Sequence, residues 1–208
     1  MKTNFLKASQ LKVTLNKKQF QKEVFVGGAS VITSKLRPII QERINEAQKE
    51  MVEEFETHPV SVEISGGNNS SNTSGLLGGY GNLFSFIGFE DGQTPISELS
   101  NILKKNIPFK IRRVNANGGY SVLVQAPSKK ELESIAQVSW MGGRSWLDGI
   151  ERSIAGLNRY LYDPQYSLKN SRSGTGSQTQ NDIRSVRQVR SPYLSKILSN
   201  FKNRLNRL

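Results

Sequence analysis

The sequence predicts an α+β fold: a small antiparallel β-sheet with a long amphipathic helix packed on it, plus extended basic N- and C-terminal arms. Three observations predict it. Apolar residues recur at helical spacing from Ile32 to Phe55. Two apolar runs flank an Asn-Gly pair in the manner of a β-hairpin. Basic residues gather at the two ends of a chain whose middle is nearly neutral.

Taken in order, Leu11, Val13 and Leu15 alternate with polar residues and predict a short strand. Gly27-Gly28 breaks the chain. Ile32, Leu36, Ile40, Ile44, Met51 and Phe55, with Ala47 filling the stripe, then predict a helix over residues 34–57, with Pro38 near its start and His58-Pro59 ending it. Val60, Val62 and Ile64 alternate with Ser61 and Glu63, the pattern of a half-buried strand. Residues 65–82 are rich in Gly, Asn and Ser and carry no charge, which predicts a long flexible loop. Leu83 to Phe89 reads as an apolar strand.

Thr94-Pro95 is an N-cap followed by proline at the first helical position, opening a short helix to about Lys105. The hairpin follows, residues 109–114 and 120–125 around Asn117-Gly118. Ser128 caps a helix through about Ala136. Trp146, Ile150, Ile154, Leu157 and Leu161 place another near residues 145–160. The organisation is a basic segment at 1–26, a body at 27–164 and a basic arm at 165–208 with an amphipathic end. Their net charges are +5, −1 and +8. Basic ends of this kind meet acidic partners, either nucleic acid or an acidic protein surface.

The 208 residues suffice for one ordinary domain with tails. The absence of cysteine excludes disulfides, thiolate metal sites and a cysteine nucleophile. The apolar run Leu83–Phe89 is far too short to span a bilayer, and the N-terminus lacks the continuous apolar core of a signal peptide, so no membrane partner is expected. His58 is the single histidine, and its place at a helix end reads as structural. Gly75-Leu76-Leu77-Gly78-Gly79-Tyr80-Gly81 lacks the Gly-Lys-Ser/Thr ending of a phosphate loop. Glu53-Glu54 falls on the polar face of the long helix, and Glu90-Asp91-Gly92 reads as a turn. The expectation is therefore a protein that is not an enzyme and takes no cofactor or metal.

The sharpest remaining signal is C-terminal. Arg184, Arg187 and Arg190 recur every third residue with Ile183, Val186 and Val189 between them. Tyr193, Leu194, Ile197, Leu198, Phe201 and Leu205 follow at near-helical spacing, a stripe that calls for a partner surface. These arginines, with Tyr193, Leu194, Ile197, Leu198 and Phe201, are the candidate partner-binding residues. The competing reading is a nucleic-acid-binding protein using its basic termini, with Phe84, Phe86 and Phe89 as a stacking surface. A basic amphipathic helix on a membrane surface ranks third.

The order of elements resembles the minor-tail, tail-completion and neck proteins of tailed bacteriophages. The parts that carry the resemblance are Leu36–Phe55, Val60–Ile64, the loop 65–82, the hairpin 109–125 and the helix near 145–160. The stretches Gly79–Phe89 and Ser171–Gly176 also look like phage virion proteins; the basic C-terminal arm extends beyond the short forms of the family. The resemblance implies a virion structural subunit at the head–tail connector or tail end, forming an oligomeric ring against adjacent neck or tail proteins, with contact to DNA in the lumen. It also implies loop contacts, for which Leu76, Leu77 and Tyr80 are the candidates.

Overall fold

Helix α1 (Ala29–Thr57) begins five residues earlier than its apolar stripe suggests, so Pro38 lies inside it rather than near its start. A computed structural model describes residues 9–14, 29–77, 81–113, 120–137, 145–152, 160–162, 176–178 and 192–206. The expected stripe is the buried face of α1: Leu36, Ile40, Ile44, Ala47, Met51 and Phe55 are all buried. Full burial of a side chain such as Met51 or Phe55 contributes about 2 kcal/mol each.

The segment after α1 corrects the sequence reading. Residues Pro59–Ser65 form a helix, α2, not a strand. Pro59 supplies a pre-set φ at the first position, and His58 caps the end through Nδ1, which accepts from the Val60 N–H at 3.3 Å. Positions 60 and 64 face the core in either conformation; Val62 discriminates, and it is 45% exposed while Val60 and Ile64 are buried.

Leu83–Ile87 is likewise a helix, α3, where an apolar strand was expected. All five of its residues are buried, so no periodicity marks it. Its signals are the caps. Asn82 Oδ1 accepts from the Ser85 N–H at 2.9 Å, and Gly88, at φ 85°, closes the last turn with its N–H on Phe84 and Ser85 oxygens.

Helix α4 (Pro95–Leu103) starts on Pro95 as expected, although the Thr94 side chain makes no capping bond. The hairpin strands β2 (Phe109–Arg113) and β3 (Tyr120–Ala126) pair antiparallel, and β1 (Ser9–Thr14) adds to the other side of β3, giving the order β1-β3-β2. Register aligns Leu11, Val124 and Phe109 across the sheet. Part of the expected N-terminal arm is thus a sheet strand. The Asn117-Gly118 turn lies outside the described residues.

Helix α5 (Lys129–Ile135) is capped by Ser128 Oγ, which accepts from the Glu131 N–H. Of the helix expected near 145–160, α6 (Trp146–Arg152) is described, and Tyr160–Tyr162 forms a strand, β4, that pairs antiparallel with β5 (Gly176–Gln178) and lies against α3. Helix α7 (Leu194–Asn206) then runs along α1. The result is α+β, with a small antiparallel sheet and a long helix whose main neighbours are α7 and α4. Arg37 of α1 reaches the sheet, its guanidinium 5.4 Å over the Phe109 ring.

Candidate assembly surfaces

The C-terminal stripe does not face outward. Tyr193, Leu194, Ile197, Leu198, Phe201 and Leu205 are all buried in the chain's own core. The partner surface that such a stripe calls for is supplied by α1, and these residues are corrected from partner anchors to core. The same face of α1 carries the acids that receive the basic side of α7. Arg204 Nε lies 2.5 Å from Glu50, its Nη2 lies 2.5 Å from Glu54, and Asn200 Nδ2 donates to Glu54. At its other end, the Ser195 N–H donates to Glu151 of α6, which also pairs with Lys129 of α5. The Lys129 ammonium is held above its ordinary range chiefly by that bond to Glu151. Sequence reasoning missed these contacts because each acid is far along the chain from its partner: Glu50 and Glu54 meet Arg204 only when α7 packs on α1, and Glu151 meets Lys129 and Ser195 only when α5, α6 and α7 converge.

Where α7 begins, Tyr193 fills a polar-aromatic pocket. Its hydroxyl shares a 2.5 Å hydrogen bond with Ser61 Oγ, its ring stacks on Phe55, and His58 lies 4.6 Å away between ring centroids. Burial pushes the Tyr193 hydroxyl well above the ordinary tyrosine value, against the smaller opposing effect of the Ser61 bond. Burial likewise lowers the His58 pKa, with Lys196 adding repulsion. With Nδ1 committed to the Val60 N–H, His58 is a helix cap in a tight contact.

The uncharged loop after α2 is built rather than loose through its described part. Glu63, fully buried, accepts the Ser74 N–H on one carboxylate oxygen and the Leu83 N–H on the other, both at 2.7 Å. The second bond sets a negative group on the N-terminus of α3. Asn82 Nδ2 donates to the Asn68 carbonyl, and Gly67–Asn69 forms a single 3-10 turn with Gly67 at φ 66°. Leu76 and Leu77, expected as outward contacts, are buried anchors beneath the loop. Asn69, Ser71 and Thr73 are exposed. Tyr80, Arg184, Arg187 and Arg190 lie outside the described residues.

A third surface went unnoticed in the sequence. A cleft of about 270 Å³ opens between the segment after α3 (residues 88–93) and the helices α4, α5 and α6. Phe89 and Trp146 meet edge to face at 5.7 Å on its floor, beside Leu99. Glu90 and Glu98 stand exposed on its rim, and Ile135, 43% exposed, forms a wall. Glu90 is presented by the expected turn, closed by the Gln93 N–H on the Glu90 carbonyl with Gly92 at φ 87°. Phe89 and Phe84, 5.3 Å apart, are thus in core and cleft floor rather than on an open sheet face. Two acids and a tryptophan 48 residues apart give no local signal.

Among the described residues, no group of three or more His, Cys, Asp or Glu side chains is placed to hold a metal, and no helix is long and apolar enough to cross a membrane. In comparison with protein-family models, curated proteins and solved structures, nothing matches the chain.

Proposed function

We propose that the chain is a structural subunit of a tailed-phage particle, at the head–tail connector or tail end, assembling into an oligomeric ring through its loop and a terminal arm. The observation that carries the reading is the loop after α2. A stretch of uncharged, turn-forming residues is held on the core by a fully buried carboxylate and two buried leucines. A loop fixed in this way loses little conformational freedom when it docks, which favours binding of a neighbour through its outward side chains. The sequence resemblance to neck and tail-completion proteins supplies the particle context. Contact with a ring neighbour would then use Asn69, Ser71 and Thr73, not the leucines beneath them.

The test is self-association of Asn69→Arg and Thr73→Arg by light scattering. Both positions are exposed, so stability should stay within about 0.5 kcal/mol of the parent while assembly weakens. Parent-like assembly by both variants would remove the loop from the account. Nucleic-acid binding by the basic ends is the competing reading, favoured by the net charge of +12. It predicts DNA affinity that falls steeply with salt, and no protein ring.

A further inference from the structure

The cleft between the segment after α3 and the helices α4, α5 and α6 has the composition of a docking site for an apolar, cationic segment. Its floor is Phe89, Trp146 and Leu99, and its rim carries Glu90 and Glu98. Both rim carboxylates are exposed, and among the described residues neither has an ion-pair or hydrogen-bond partner on its side chain. By contrast, Glu56, which faces α4 from α1, is paired: it accepts from the Ser100 hydroxyl and from Lys104. Among the described residues, no lysine or arginine lines the cleft. Unpaired carboxylates above an apolar floor favour an occupant that brings its own positive charge and buries an aliphatic side chain.

One segment of this sequence has that chemistry. Ile183-Arg184, Val186-Arg187 and Val189-Arg190 repeat an aliphatic–arginine step three times. A β-branched side chain in the cleft would cover Trp146 and Phe89, and the neighbouring arginine would reach Glu90 or Glu98 through its planar fork. We infer that the cleft receives residues 183–190 of a second copy of the chain, so that each subunit offers an arm and accepts one. Arm and cleft are different surfaces, so the contact is heterologous and can close into a ring. The inference rests on the assembly reading above and names the contact that would propagate it.

Charge exchange between arm and cleft tests it in the full chain. One variant carries Glu90→Lys and Glu98→Lys; the other carries Arg184→Glu, Arg187→Glu and Arg190→Glu. The altered cleft positions are exposed, so the Glu→Lys variant should keep the parent's circular dichroism and melting temperature. Each variant alone, followed by light scattering, should need at least about tenfold more protein to reach the parent's assembled mass. Mixed in equal amounts they should recover it, because the acidic arm meets the basic cleft and the basic arm meets the acidic one. Parent-like assembly of either variant alone, or a mixture that stays dissociated, would overturn the arm-in-cleft contact and leave the proposed function standing. A parent that is monomeric at every concentration would overturn the ring reading itself.

Discussion

The loop after α2 and the helix α7 are both pinned to the body, but by opposite means. The loop hangs on polar bonds: one buried carboxylate, Glu63, takes two backbone N–H groups from residues 11 and 20 positions away. Helix α7 is held by apolar area, with Leu194, Ile197, Leu198, Phe201 and Leu205 buried against the body and ion pairs only at its edge. The difference teaches where each can fail. Apolar docking is spread over many side chains and degrades in steps, whereas the polar anchoring of the loop, beside its two buried leucines, is concentrated in one residue whose loss strands two donors at once.

The largest expected effect is on the apolar side. Phe201→Ala should cost about 3–5 kcal/mol in urea unfolding, because Phe201 is fully buried between α7 and the body. A cost below about 1 kcal/mol would mean that α7 is not part of the cooperative core. Next comes Glu63→Gln, expected to cost about 2–3 kcal/mol, since the amide presents an N–H where an acceptor is needed and leaves a buried donor unpaired. Hydrogen exchange should rise at the Ser74 and Leu83 amides and not in α7; a uniform rise would erase the contrast between the two anchors. Tyr193→Phe keeps the ring stack on Phe55 but leaves the fully buried Ser61 hydroxyl without its partner, at a cost of about 1–2 kcal/mol.

The smallest effect is a pH dependence. Burial depresses the His58 pKa, so the folded protein resists the proton that the unfolded chain accepts near pH 6.5. The associated stability is present above that pH and is lost as pH falls through the depressed folded value. His58→Asn retains a capping acceptor and should remove this loss, leaving a flat profile down to the carboxylate range. There Glu56, held below its ordinary 4.5 by its bonds to Lys104 and Ser100, adds a loss of its own on further acidification. An unchanged slope between pH 7 and 5 in His58→Asn would show that another group is responsible.

The long helix, the hairpin strands and Ser128 as a cap were legible because period, turn residues and capping chemistry agreed within a few positions. The short segments failed for a definite reason. Over five residues, alternation and helical spacing share Val60 and Ile64, and only Val62 separates them; in Leu83–Ile87, burial on every side leaves no period at all. The signals that decide both helices are His58-Pro59 and Asn82 with Gly88, caps that can be read from sequence when set beside an apolar run. The C-terminal stripe was legible as a face needing cover, but a stripe carries no label for whether the cover comes from another chain or from its own. Glu50 and Glu54, one helical turn apart on α1, complement Arg204 and mark the intramolecular answer. The cleft could not be read from sequence, since Glu90, Glu98 and Trp146 converge only in the folded chain.

Because α7 closes the core, truncating the chain at residue 165 would disturb folding as well as contacts, so substitution is the cleaner probe of assembly. The central claim is that this body is a ring-forming subunit. Light scattering of the purified chain at low and at moderate salt tests it most directly. The expected result is an assembled mass of several subunits that persists at moderate salt, since the proposed arm contact would bury aliphatic side chains on the Phe89–Trp146 floor as well as pair charges. A monomer at both salt concentrations, together with DNA binding that weakens steeply between them, would contradict it.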